Sequence, residues 1–225
     1  MGIGNRIARP GWVVACGLLL SAAVPARAGE GEERVFKVTV DGKPGGTYRM
    51  TCRVAADGTE TVTVAADVKL RVLVVNYTYT LRATEVWKDG KLVSLESKTD
   101  DDGKKKEARV ETAADGGLTV AGSGGPRRTT RANLLVSTGW HAPAAGGTTA
   151  RVMEVEDGTE TEARIDPLGR GEAVAGGRAV GGPRYRLTGR NLNSEWWFDD
   201  GGRPIRQTMK TDGHTVTLEL VEIRK

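Results

Sequence analysis

The chain has 225 residues, 38% hydrophobic and 28% charged, with a formal net charge of +4 and two cysteines. That apolar content excludes a disordered polyelectrolyte, and two cysteines exclude a small disulfide-knit scaffold. No stretch after the first 28 residues reaches the roughly 18 apolar residues of a membrane-spanning helix.

The first segment reads as a secretory leader. Arg6 and Arg9 form a positive start, Trp12 to Val24 is a short apolar run, and Ala26-Arg27-Ala28 supplies small residues at −3 and −1, so cleavage is expected before Gly29. Two other readings stay open: an uncleaved anchor, and a lipoprotein attached through Cys16, whose Val13-Val14-Ala15-Cys16 loosely fits a lipid-attachment box. The leader carries Arg6, Arg9 and Arg27 and no acid, which leaves 30 of the 33 basic residues against all 29 acids. The alkaline balance therefore belongs mostly to the leader. It argues against a nucleic-acid surface. The expected location is exported, periplasmic or extracellular, with residues 29–225 as one domain.

After the leader, Asp-Gly pairs recur at Asp41, Asp57, Asp89, Asp102, Asp115, Asp157, Asp200 and Asp212. Both residues tolerate the positive φ that tight hairpins demand. Between them run Val- and Thr-rich segments with period-two alternation, the signature of half-buried strands. Phe36, Val38 and Val40 share a face. Val62 through Val74 forms the longest even-numbered stripe, opposite Thr61, Thr63, Asp67, Lys69 and Arg71. The parity then flips to Tyr77, Tyr79, Leu81, Ala83 and Trp87, which requires a reversal near Leu73–Asn76, placed at Val75-Asn76. Further strands are expected near 91–99, 105–113, 117–121, 149–156, 160–166, 184–190, 193–199, 204–211 and 215–223. Residues 122–130 read as a loop, 131–139 as one short helix, and glycine-rich 169–183 as a flexible loop.

Glu85-Val86-Trp87-Lys88-Asp89-Gly90 is echoed by Glu195-Trp196-Trp197-Phe198-Asp199-Asp200-Gly201. The echo reads either as a pseudo-repeat of a curved sheet or as the ordinary product of a meander with Asp-Gly turns. The fold expected is all-β: a single strongly curved antiparallel sheet of about 10–12 strands, forming an open or half-closed barrel with at most one short helix. A two-sheet sandwich is the alternative.

Phe36-x-Val38-x-Val40-Asp41-Gly42-Lys43-Pro44, then Tyr77-x-Tyr79, Glu85-x-Trp87-x-Asp89-Gly90-x-Leu92 and Thr99-Asp100-Asp101-Asp102-Gly103, resemble the hairpins of an exported bacterial family catalogued as domain of unknown function 6134. The resemblance covers most of the chain after the leader. By fold-level analogy it implies the half-barrels of periplasmic lipoprotein carriers. It brings no activity and no catalytic residues.

Catalytic and metal constellations are not visible. His141, His214 and Cys52 have no ligand spacing, Asp100-Asp101-Asp102 lacks calcium-loop alternation, and no Gly-x-Ser-x-Gly occurs. His141, following Trp140 in a loop, reads as a solvent-exposed histidine. No cofactor is implied. Candidate ligand-binding residues are Tyr77, Tyr79, Glu85, Trp87, Glu195 and Trp197. The first expectation is a non-enzymatic protein holding a hydrophobic or lipid-like small molecule in its concave face. The second is an interaction or assembly module using the Trp196–Phe198 strand as a pairing edge. The third is a hydrolase with Glu85 and Glu195 as its carboxylate pair.

Overall fold

A computed structural model describes residues 31–72, 75–211 and 213–225. The leader, with Cys16, Ala26, Ala28 and Gly29, lies outside the described residues. The strands are β1 (Gly31–Val40), β2 (Lys43–Val54), β3 (Glu60–Val72), β4 (Val75–Lys88), β5 (Lys91–Asp101), β6 (Lys104–Thr112), β7 (Leu118–Ala121), β8 (Arg127–Thr129), β9 (Leu134–Val136), β10 (Thr149–Met153), β11 (Glu160–Ala175), β12 (Arg178–Gly189), β13 (Leu192–Phe198), β14 (Pro204–Thr211) and β15 (His214–Arg224). They form one sheet in the order β8-β7-β6-β5-β4-β3-β2-β1-β15-β14-β13-β12-β11-β10-β9. This is the single curved sheet expected, with 15 strands rather than 10–12 and no sandwich.

Nearly all neighbours are sequential antiparallel hairpins. The exceptions are β1 on β15 and the parallel pair of β9 with β10. The Asp-Gly turns do what their chemistry allows: Asp41, Asp89 and Asp102 sit at positive φ with the glycine that follows. The parity reversal falls between Val72 and Val75, which pair with each other, and not at Val75-Asn76.

The sheet does not close by a strand ladder. Its β9–β10 end rolls into the interior. Leu134, Val136 and Met153 pack among the inward side chains of β1–β7, while Leu135, Ala150 and Val152 pack on Ala163, Ile165, Leu187, Trp196 and Phe198. A short strand buried on both faces must be continuously apolar. Leu134-Leu135-Val136 has that composition, which is why residues 131–139 are β9 and its flanks and not a helix. Residues 122–130 include β8, so they too are more than a loop. Beside the rolled edge, Arg151 and Thr129 both bond Glu160 at 3.0 Å, and Arg127 reaches the same carboxylate at 3.3 Å. These side chains, with the backbone bond from Ser123 N–H to Asp157 O at 3.2 Å, hold the two sheet ends together without a strand ladder.

Residues 169–183 are no flexible loop. They form the outer half of the β11–β12 hairpin, whose ladder runs to Ala175 and Arg178 after a shift between Pro167 and Arg170. The arm folds over β15, where Gly176 N–H donates to Val221 O at 2.9 Å. Its glycines serve close packing: a Cβ on Gly171 would lie 2.8 Å from the Trp197 ring.

Candidate functional site

The six candidate residues divide between the two faces of the sheet. Tyr77, Tyr79, Glu85 and Trp87 stand on the inward face of β4; Glu195 and Trp197 stand on the outward face of β13. Glu85 and Glu195 therefore cannot share one reaction site, and the Glu-x-Trp echo is not a structural repeat. The true counterpart of Glu85-x-Trp87 is Ser194-x-Trp196. In both, the indole N–H donates to the side chain two residues earlier, at 2.8 Å to Glu85 Oε2 and 2.9 Å to Ser194 Oγ. β13 is also no pairing edge, since β12 and β14 flank it.

The inward group anchors the chain that fills the barrel. Glu85 is fully buried and accepts from Thr138 Oγ1 at 2.6 Å as well as from Trp87. Burial pushes its carboxyl up to about 7, although both donors favour the ionised form. Gln207 Nε2 donates to Ser137 O at 3.1 Å, and Val155 N–H donates to Ser137 Oγ at 2.9 Å. Residues 137–140 are thus held by polar bonds from both halves of the sheet. At the opposite end, Tyr79 donates to Glu156 Oε1 at 2.8 Å and Tyr77 donates to Asp101 Oδ1 at 2.7 Å. Burial, first, and these carboxylates raise both phenols well above their ordinary value. Of the three aromatic candidates on β4, Tyr79 is engaged with Glu156, Trp87 with Glu85 and His141, and Tyr77 with Asp101.

His141 is mostly buried rather than exposed. Its ring meets Trp87 edge-on, centroids 4.4 Å apart, and its Nε2 lies 3.4 Å from Glu60 Oε2 without hydrogen-bond alignment. Burial lowers its pKa to about 4; Glu60 opposes the shift and Arg203 adds to it. Glu60 accepts from Arg203 at 2.9 Å, and Arg203 also stacks on Trp140 at 4.7 Å. Burial works against the Glu60 carboxylate, but the Arg203 bond and charge hold it below its ordinary pKa. The cluster caps one barrel end.

The outward group is different in kind. Trp197 stands half-buried between two guanidinium groups, Arg184 at 5.2 Å and Arg206 at 4.8 Å from its ring centroid. Both are its direct cross-strand neighbours, on β12 and β14. The buried donors Trp197 Nε1, Arg184 Nε and Arg206 Nε have no acceptor among the described residues. Beside them Arg186 pairs with Glu195 at 2.7 Å, whereas among the described residues no carboxylate lies within 4 Å of Arg184. Sequence reasoning found Trp197 but missed both arginines. They become its partners only through strand register, a signal that pairing 184 with 197 and 197 with 206 would have supplied.

The family described as Domain of unknown function (DUF6134) matches residues 36–221. Among solved structures, the chain is similar to a β-barrel-like protein of domain of unknown function DUF1849 from Brucella abortus. Identity is 14%, coverage is 86% of this chain and 96% of that one, and the TM-score is 0.60. A DUF1329 family protein from Desulfovibrio piger ATCC 29098 is 12% identical over 87% of this chain and 85% of that one, with a TM-score of 0.26. No curated protein matches the chain. The first likeness establishes the fold; neither speaks to activity.

Proposed function

This chain belongs to the DUF6134 family, and from that premise we propose that it is an exported, non-enzymatic binding module of the cell envelope that engages a partner through its outer face. The observation that carries the reading is the Arg184–Trp197–Arg206 stack on the outer face of the sheet, half-buried beside Gly171 of the β11–β12 arm. Tryptophan and arginine are the residue types that dominate binding hot spots, and a stacked guanidinium loses less freedom when a partner orders it. The leader pattern of residues 1–28 supports export. The concave-face ligand reading is set behind this one because Leu134, Val136, Trp140, Met153 and Val155 occupy the inward core. A carboxylate-pair hydrolase has no support, since its two carboxylates face opposite ways.

The test is in-cell photocrosslinking with a reactive side chain at Thr208, which faces outward on β14 opposite Glu195. The expected result is one defined adduct, lost in Trp197→Ala and in Arg184→Glu, on a protein whose intact mass begins at Gly29. A protein that gives no adduct and instead releases bound lipid on extraction would overturn the reading in favour of the concave face.

A further inference from the structure

A second outward region lies on β2–β5, away from Trp197 on β13. A hollow of about 410 Å³ opens across the outer surface of β2–β5. Strand register makes it two parallel rows. One row runs Arg49, Ala65, Arg82, Lys98, each paired with the next. The other runs Thr51, Thr63, Thr84, Glu96 in the same way. Small side chains in the middle make the trough, and long charged ones make its walls.

We infer that this trough binds an acidic polysaccharide chain, laid across the strands with its carboxylates on the Arg49–Arg82–Lys98 row. Four strands at their usual spacing make that row about 14 Å long. Its cations are strung out in a line rather than gathered on one point, so they match an extended chain with repeating charge better than a single compact anion. The threonine row offers hydroxyl groups for sugar hydroxyls, and threonine methyls, Ala65 and the aliphatic stems of Arg49, Arg82 and Lys98 offer apolar surface for sugar C–H faces. Among the described residues no aromatic side chain lines the trough, so base stacking, on which single-stranded nucleic acid relies, has no platform.

The lining carries three cations against the single carboxylate of Glu96. Arg82 pairs with exposed Asp67 at 2.7 Å through Nη2 while its Nη1 donates to the Ala66 and Leu81 carbonyls, and Arg49 lies 3.5 Å from partly buried Glu33; surface pairs of this kind contribute little, so a ligand carboxylate can take the carboxylate's place with the backbone bonds kept. Among the described residues no carboxylate lies within 4 Å of Lys98, although Glu107 is its cross-strand neighbour and closes the row on β6.

The experiment is calorimetric titration of the mature chain with oligogalacturonate. The expected result is saturable binding that weakens as salt is raised. Lys98→Glu and Arg82→Glu together should lower affinity roughly tenfold, and Glu96→Gln should raise it about twofold, with melting temperatures near the parent's. Lys98→Glu alone keeps the test open if Arg82→Glu fails to fold. Lys210→Glu, an exposed cation on β14, should change nothing. A neutral oligoglucan should not bind. Absence of oligogalacturonate binding overturns the inference; so does equal loss in Lys210→Glu, which would mean unspecific attraction. Tighter binding of tripolyphosphate through the same residues would replace the polysaccharide with a phosphate ligand and likewise overturn it. The inference stands on the trough alone, so its failure leaves the Trp197 reading untouched.

Discussion

Residues 85–87 and 195–197 spell the same Glu-x-Trp, and the sheet turns them in opposite directions. In β4 the pair falls in step with the buried Leu81 and Ala83, so a carboxylate is carried inside along with its tryptophan. In β13 the competing parity holds Trp196 and Phe198, a larger apolar pair, and that pair takes the interior. A motif three positions long does not choose its face. The strand's summed apolar surface chooses, and the motif follows. The same three letters thus yield an internal anchor in one place and an external contact in the other.

The largest expected effect separates the two tryptophans by stability. Trp87→Ala should cost about 3–5 kcal/mol in denaturant unfolding, because it leaves a cavity and removes one of the two donors of buried Glu85. Trp197→Ala should cost less than half as much, since its ring is partly solvated. Equal losses would erase the distinction between anchor and contact.

The next effect comes from titration. The Glu85 carboxyl is raised from 4.5 to about 7 on folding, so its contribution is full at acid pH and fades as pH rises toward 7. His141 is lowered from 6.5 to about 4, so its contribution is full above 6.5 and fades as pH falls toward 4. Between about 4.5 and 6.5 the two slopes oppose one another, which flattens the parent's profile. Glu85→Gln should uncover the histidine slope, with stability climbing by on the order of 2 kcal/mol from pH 4 to 6.5. His141→Asn should uncover the reverse. Identical pH profiles for parent and both variants, followed by thermal melts, would remove the internal-anchor account of Glu85.

Gly171→Ala should follow, at roughly 1–3 kcal/mol, by pressing a methyl into the Trp197 ring and lifting the arm. Hydrogen exchange at Gly176, whose N–H reaches Val221, would report the lifting. Ser194→Ala is the smallest change, about 1–2 kcal/mol for the buried indole N–H left without its acceptor. It shows whether the Ser194–Trp196 bond is the working counterpart of Glu85–Trp87.

Much of the sheet was legible because alternation and Asp-Gly turns are local. The stripe from Val62 to Val68, the flip to odd positions after Tyr77, and most strand bounds follow from residues that neighbour one another. What escaped depends on distant partners. Leu134-Leu135-Val136 carries no alternation, because both its faces are buried, and an apolar triplet alone does not distinguish strand from helix. Residues 169–183 look flexible by glycine content, yet Gly171 is small to admit an indole from β13. Of the candidate site, Trp197 could be picked out by its awkward run of three aromatics, while Arg184 and Arg206 could not, since nothing in the chain announces who stands beside whom.

The pairing of β1 with β15 closes the widest circuit in the molecule: Glu33 and Arg224 meet across 191 positions of chain. In space these two strands lie at the middle of the sheet, while its two outer ends, β8 and β9, are consecutive in sequence. The backbone is therefore arranged almost as a ring cut at β1 and β15. Loop-closure entropy makes that cut the last joint to seal during folding, after each half has formed from local hairpins. It also makes the molecule a natural subject for circular permutation: a short peptide joining Arg224 to Gly31, with new termini opened between β8 and β9, would turn the slowest joint into the fastest.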